Sequence, residues 1–112
     1  MKKKLWMIGV GWLLSLGVAH AAASQSGVTT INFLLSYNSY GSGDVIFKLA
    51  NPTSDCVGYW ITKTDAGFSA NMAMLLTAYQ TKTSVVIDAT TDQMWPGSVN
   101  GYCKLYDIRY PN

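Results

Sequence analysis

The chain has 112 residues, of which 8 are Lys or Arg, 6 are acidic and 1 is His, for a formal net charge of +2. All six acidic residues are Asp, and the only His, His20, lies in a segment that we expect to be removed on export. A mature chain without His or Glu excludes a Ser-His-Asp or Cys-His catalytic unit and a zinc site that uses His. The composition therefore favours a binding protein over an enzyme, with no cofactor or metal.

Residues 1–21 have the three parts of a secretory signal peptide. Three lysines at positions 2–4 precede an apolar run at 5–18, and Ala19-His20-Ala21 provides a small-x-small cleavage site. The apolar run is shorter than the roughly 20 residues of a membrane span, so the mature protein is not expected to span a membrane. Residues 22–112 then form one small domain with five cations, six aspartates and a net charge of −1, which argues against a nucleic-acid partner.

The first part of this domain predicts a β-hairpin. Residues 22–26 are small and polar and predict a loose N-terminus. Alternating apolar residues predict a strand at 29–37 and a second at 44–50, with the turn sequence NSYGSG between them.

The rest of the chain predicts three further strands and one helix. A β-branched and aromatic run predicts a strand at 56–62, and alternation predicts strands at 84–89 and 102–110. Helical spacing predicts a helix over about 69–82, with Ser69 as its N-cap and with Phe68, Met72, Leu75, Leu76 and Tyr79 facing the core. This β-β-β-α-β-β order predicts a mainly β domain with one helix, specifically the five-stranded Greek-key barrel of the OB-fold.

The two cysteines, Cys56 and Cys103, are predicted to form a disulfide because export leads to an oxidising compartment. The bond would close a 47-residue loop. On the chain-entropy model such a bond stabilises the fold by roughly 4 kcal/mol.

The outward face of the predicted helix carries no charge, whereas a solvent-facing helix is usually rich in Lys and Glu. One interpretation is a surface covered by neighbouring copies of the chain, and the other is an exposed face of a protein with few charges. The face comprises Ala70, Ala73, Met74, Thr77, Gln80 and Thr81.

Two loops are candidates for ligand binding, because an OB-fold binds ligands beside the loop between its first two strands and the loop between its last two. In the loop at 90–101, Trp95 either stacks on a sugar or packs as a lid over the end of the barrel. Uncharged polar and aromatic groups in the hairpin loop suit a neutral or weakly acidic glycan, although ordinary turns have the same composition. The candidate residues are Tyr37, Ser39 and Tyr40 in the hairpin loop and Asp92, Gln93, Trp95 and Asn100 in the later loop.

Several segments resemble the B subunits of AB5 toxins, in particular the subtilase-cytotoxin and pertussis-like group. The resemblance is carried by the signal peptide, the OB-like element order, the single disulfide and residues 58–61 (GYWI), 65–68 (DAGF), 75–79 (LLTAY), 95–98 (WPGS) and 103–106 (CKLY). It implies a homopentamer whose helices line a pore, sialylated glycans as ligands and a toxin A subunit as a candidate partner. A serine near the start of the family's first strand contacts the sugar, which implies the same role for Ser26.

These observations predict an exported, periplasmic or secreted, glycan-binding module that forms a homo-oligomer. The alternative is an inhibitor or immunity-type protein that binds another protein through the Trp95 loop. An enzyme using Asp88 and Asp92 as a carboxylate pair is not expected, because no feature of the sequence raises the pKa of either group.

Overall fold

The computed structural model describes residues 22–112, so the predicted signal peptide at 1–21 lies outside the described residues. The described chain is mainly β with one helix, as predicted. Its elements are β1 (Ala23–Gln25), β2 (Ile31–Ser36), β3 (Val45–Leu49), β4 (Gly58–Ile61), α1 (Phe68–Thr81), β5 (Val86–Thr90) and β6 (Tyr102–Arg109).

The strands form one six-stranded sheet in the order β1-β5-β6-β4-β3-β2. All neighbours are antiparallel except β4 and β6, which are parallel. The additional strand is β1, which corrects the prediction of five strands and of a loose segment at 22–26. Its residues pair with β5 through their backbones, for example Ala23 with Thr90 and Gln25 with Asp88. Small polar residues give no alternation of hydrophobicity, so the sequence pattern did not indicate this pairing.

The segment between β1 and β2 also pairs with Val85, the residue just ahead of β5. The Thr29 N–H donates to the Val85 carbonyl at 3.1 Å, and the Val85 N–H donates to the Thr29 carbonyl at 2.7 Å, which forms an isolated antiparallel bridge. Residues 23–29 therefore pair with β5 and with the residue ahead of it, and residues 31–36 pair with β3.

The main core lies between the sheet and α1. Large side chains with essentially no exposure come from most strands, and α1 contributes Leu75 and Ala78. Phe68, Met72, Met74 and Tyr79 pack partly buried against this core. The core residues of the strands and loops are Ile31, Val45, Phe47, Leu49, Cys56, Tyr59, Ile61, Val85, Ile87, Ala89, Cys103, Leu105 and Ile108.

The orientation of α1 differs from the prediction at two positions. Leu76, predicted to face inward, is 46% exposed, whereas Met74, predicted to face outward, packs against the core. Leu76 and Met74 lie on either side of the helix face formed by positions 68, 72, 75 and 79, which faces the core in both the prediction and the structure. Helical spacing alone does not show which of the two flanking residues is buried. The N-cap is Gly67, without a side-chain cap, rather than Ser69, and Lys82 ends the helix in the left-handed conformation (φ 58°).

The disulfide prediction is confirmed. Cys56 and Cys103 form a bond with an S–S distance of 2.09 Å and a Cα–Cα distance of 5.5 Å. Cys56 lies just ahead of β4 and Cys103 lies in β6, so the bond reinforces the parallel pair of strands at the middle of the sheet. Both cysteines are fully buried.

Within residues 22–112, no helix combines the length and the apolar character needed to cross a membrane.

Candidate ligand-binding groove

The two predicted ligand loops lie side by side, and Trp95 joins them. Its ring centroid is 5.9 Å from that of Tyr37 and 5.6 Å from that of Tyr40. The ring is only 5% exposed, and it packs with Ile46 and Tyr102 in a second apolar cluster. Its Nε1 donates to Oδ2 of Asp44, itself 3% exposed, at 2.9 Å. Trp95 therefore occupies the packing position of the two alternatives and presents no open face for stacking.

The other predicted loop residues are more accessible. Tyr40 is 45% exposed, and Ser39, Asp92, Gln93 and Asn100 are exposed as well.

The Tyr37 ring is half-buried against Trp95 and Tyr40. The Gln93 carbonyl accepts a hydrogen bond from Trp60 Nε1 at 2.9 Å, which ties the later loop to β4. The hairpin loop at 37–43 and the loop at 90–101 together are called the loop end below. The loop end carries polar groups around a packed aromatic cluster.

Ser26 is not accessible at the surface. It is 4% exposed, and its Oγ accepts a hydrogen bond from the Ile87 N–H at 2.9 Å while it donates to the Gly27 carbonyl at 2.8 Å. The hydroxyl is thus used to hold the segment after β1 against β5. Because the residue is buried, a sugar at the surface does not reach this oxygen.

A groove of about 530 Å³ lies across β1, β5 and β6, a short distance along the chain from Ser26. This volume is within the usual range for small-molecule sites. Hydroxyl, amide, carboxylate and aromatic side chains line it, together with two alanines. The lining residues are Ala23, Ser24, Gln25, Asp88, Ala89, Thr90, Tyr106 and Asp107.

A β-bulge shapes one wall of the groove. Asp88 pairs with Asp107 and Ala89 pairs with Leu105, so Tyr106 is an extra residue in β6. In a regular strand, neighbouring side chains point to opposite faces, but Leu105 and Ile108 both belong to the main core, so Tyr106 and Asp107 between them both turn away from it. Bulges often redirect a side chain in this way near functional sites. Tyr106 is 73% exposed, so its ring is accessible to a ligand.

Asp88 is held by two neighbours. Gln25 Nε2 donates to its Oδ1 at 2.7 Å, and Arg109 Nη1 donates to its Oδ2 at 2.6 Å. Burial by itself raises the pKa of Asp88, but the adjacent Asp107 carboxyl, the hydrogen bonds from Gln25 and Arg109 and the positive charge of Arg109 outweigh burial and lower that pKa. Asp88 is therefore an ionised carboxylate with both oxygens engaged.

Asp107 lies directly across the ladder from Asp88 and has fewer partners. Burial raises its pKa, and the adjacent Asp88 raises it further, while the more distant Arg109 partly opposes both effects. Arg109 Nη1 is 3.6 Å from Asp107 Oδ1, which is beyond a good hydrogen bond.

Two polar atoms of the groove residues have unused hydrogen-bonding capacity. Within residues 22–112, Thr90 Oγ1 and Asp107 Oδ1 are buried side-chain atoms without a hydrogen-bond partner, as is Tyr59 Oη elsewhere in the fold. A buried polar atom without a partner costs about 1–3 kcal/mol.

The sequence patterns did not identify this groove. The alternation at 102–110 predicted a regular strand, and periodicity cannot reveal a single inserted residue. The sequence offers Asp92, an exposed loop residue, as the carboxylate partner of Asp88, whereas the partner in the structure is Asp107.

The uncharged outer face of α1 is present with one change of membership. Ala70, Ala73, Thr77, Gln80 and Thr81 are exposed, as predicted, and Leu76 takes the place of Met74.

A comparison of the chain with protein-family models, with curated proteins and with solved structures finds no match in any of the three.

Proposed function

We propose that this protein is an exported glycan-binding module and that the groove across β1, β5 and β6 is its binding site. The observation that carries this proposal is the β-bulge, which presents the exposed Tyr106 ring and the Asp107 carboxylate side by side in one groove. An aromatic ring can cover the apolar face of a sugar, and carboxylate, amide and hydroxyl groups can bond its hydroxyls. Asp107 and Gln25 supply a carboxylate and an amide within the same groove.

This site differs from the loop-end site predicted from the sequence. Trp95 lacks an accessible ring face, since it is packed and its N–H is bonded to Asp44. The groove instead offers the exposed Tyr106 ring beside the Asp107 and Gln25 side chains.

The test is a glycan array followed by titration calorimetry on the best ligand. Tyr106→Ala should weaken binding by about twofold to tenfold, because stacking on a ring contributes about 0.5–1.5 kcal/mol. Tyr110→Ala is the matched control, since Tyr110 is also an exposed tyrosine but lies outside the groove lining. Equal losses in both variants, or a loss on Tyr40→Ala alone, would reject the groove as the site.

We also propose that β2 to β6 with α1 form an OB-fold barrel. The parallel β4–β6 pair and the helix between β4 and β5 support this topology. The bridge between Thr29 and Val85 supports closure, because it connects the segment ahead of β2 to the segment ahead of β5. Closure predicts slow amide hydrogen exchange at both residues. Rapid exchange at Thr29 and Val85, with the rest of the sheet protected, would indicate an open sheet.

We further propose a homo-oligomer, as in the pentamer implied by the sequence resemblance, with the outer face of α1 as the subunit contact. The support is an exposed, uncharged face that includes Leu76 at 46% exposure. Ala73→Glu places one like charge per copy in that contact and should dissociate the assembly without unfolding it. Asn38→Glu adds the same charge in the exposed hairpin loop and should leave the assembly intact. A monomeric wild type in light scattering would reject this proposal.

Binding to another protein is the second candidate function. It is favoured by exposed apolar side chains at the loop end, where Val99 is 100%, Tyr40 45% and Met94 43% exposed. Equimolar co-purification with one protein, lost in Met94→Asp, would support this alternative.

A further inference from the structure

Asn100 and Gly101 form the only Asn-Gly pair in the sequence, and they lie at the end of the loop at 90–101. Asn100 is exposed. Its backbone N–H donates to Ser98 Oγ at 3.0 Å, whereas its side-chain amide makes no hydrogen bond within residues 22–112. The fold therefore holds the backbone of Asn100 but leaves its side chain free to rotate.

Gly101 leaves the backbone next to Asn100 accessible. It has φ 93°, and a Cβ built on it would meet no atom within 4 Å apart from its chain neighbours. Within the described chain its N–H donates to no acceptor, while its carbonyl accepts from the Val57 N–H at 2.9 Å. Neither a side chain nor a hydrogen bond therefore shields the Gly101 nitrogen.

From these features we propose that Asn100 is a site of spontaneous deamidation, in which its amide becomes a carboxylate through a cyclic imide. The Gly101 nitrogen, after losing its proton to solvent, attacks Cγ of Asn100, so that an N–Cγ bond forms and the side-chain nitrogen leaves as ammonia. The two groups are adjacent in the chain, which favours ring closure. Water then opens the five-membered ring. Cleavage of the N–Cγ bond gives aspartate, and cleavage of the bond between nitrogen and the Asn100 carbonyl carbon gives isoaspartate.

This inference does not depend on the proposed glycan groove, whose lining contains neither residue. Other asparagines lack the combination found at Asn100. Asn51 precedes Pro52, whose nitrogen has no proton to lose. Asn38 is also exposed in a loop, but it precedes Ser39, whose side chain crowds the attacking nitrogen. Asn38 is therefore the matched comparison within the same molecule.

The isoaspartate product changes the backbone of the loop end as well as its charge. It adds one methylene to the main chain directly ahead of Gly101 and Tyr102. The carbonyls of these two residues accept hydrogen bonds from the Val57 N–H at 2.9 Å and from the Trp95 N–H at 3.0 Å. The first bond holds the loop at 90–101 to the segment ahead of β4, and the second closes the turn that carries Trp95. A lengthened chain displaces both acceptors, so the loop end is loosened.

The experiment follows the purified protein in mildly alkaline buffer at physiological temperature by peptide mapping and mass spectrometry. A synthetic peptide of residues 96–102 reports the rate without the fold. Asn100 should gain one dalton and form isoaspartate at least about tenfold faster than Asn38, and within about tenfold of the rate in the peptide. A slower rate by either comparison would overturn the proposal, because the fold would then shield the pair. Aspartate without isoaspartate would also overturn it, since direct hydrolysis of the amide gives aspartate alone.

Two variants test the site and its effect on the loop end. Asn100→Gln should abolish the mass gain at this position, because its longer side chain no longer closes a five-membered ring. Asn100→Asp carries the new charge on a normal backbone, and it should match the wild type in Tm because the residue is exposed. The isoaspartate form, separated by chromatography, should melt a few degrees lower. Equal Tm values for the isoaspartate form and Asn100→Asp would overturn the inferred loosening.

Discussion

The hydrogen bond between Trp95 and Asp44 should be a large single contribution to the stability of the loop end. Trp95→Phe keeps an aromatic ring among Tyr37, Tyr40 and Tyr102 but removes the Nε1 donor that reaches Asp44 Oδ2 at 2.9 Å. Asp44 is 3% exposed, so its carboxylate cannot recover this bond from bulk water.

The expected cost follows from this burial. A hydrogen bond to a charged group contributes about 1.5–3 kcal/mol, and removing one partner leaves the other desolvated. The Ser42 N–H is 3.4 Å from Asp44 Oδ1 and offers only weak compensation. We therefore expect Trp95→Phe to lower the free energy of unfolding by about 2–3 kcal/mol. For a domain of this size, each kcal/mol lowers Tm by about 4–8 °C.

Trp60→Phe is the matched control. Trp60 Nε1 also donates at 2.9 Å, but to the exposed Gln93 carbonyl, which water can reach after the change. Its loss should cost about 1 kcal/mol or less. Urea unfolding followed by far-UV circular dichroism is the suitable assay, because either substitution alters the tryptophan fluorescence. Equal costs for the two variants would refute the reasoning, as would strict additivity between Trp95→Phe and Asp44→Ala in a double-mutant cycle.

Three further predictions concern the loops, the disulfide and the groove. Gly97→Ala should lower Tm by several degrees, because a Cβ there overlaps the Trp95 ring, whereas Gly27→Ala has open space and should change Tm little; equal shifts would contradict this. Reduction of the disulfide should destabilise the domain by roughly 4 kcal/mol, measured by thermal unfolding with and without reductant; an unchanged Tm would contradict the expected contribution. Burial and Asp88 raise the pKa of Asp107 in the folded state, so ionising Asp107 opposes folding. Asp107→Asn should therefore match the wild type in free energy of unfolding below about pH 4 and become more stable than it as the pH rises toward 7. A difference in free energy of unfolding that shrinks over this range would contradict the assigned sign.

Much of the fold could be predicted from local sequence patterns. Alternation placed strands close to β2, β3 and β6, because each buries one face against the core, and helical spacing placed α1 to within about a residue at each end. The disulfide followed from the cysteine count and the export signal. In each case the determining information lies within a short window or in composition.

The missing parts depend on contacts that such windows do not contain. β1 is held by backbone pairing with β5, and its side chains carry no hydrophobic pattern. The bulge at Tyr106 arises from the register of β6 against β5, a relation between distant segments. Trp95 stands out in the sequence, but its burial depends on Asp44, which is 51 residues away in the chain. The groove combines such long-range relations, so its residues could not be grouped from the sequence.

The three-residue strand β1 has a practical consequence for handling the protein. Ala23, Ser24 and Gln25 form one wall of the groove, and they are held by an edge pairing that begins next to Ala22 and by one side-chain hydrogen bond each from Ser24 and Gln25. Ala22 itself contributes through its carbonyl, which accepts from the Thr91 N–H at 2.6 Å. A purification tag fused just ahead of this strand, or a preparation with ragged ends trimmed by a few residues, would give a mixture of intact and damaged grooves. Mass spectrometry of the N-terminus should therefore precede every affinity measurement, and tags belong after Asn112.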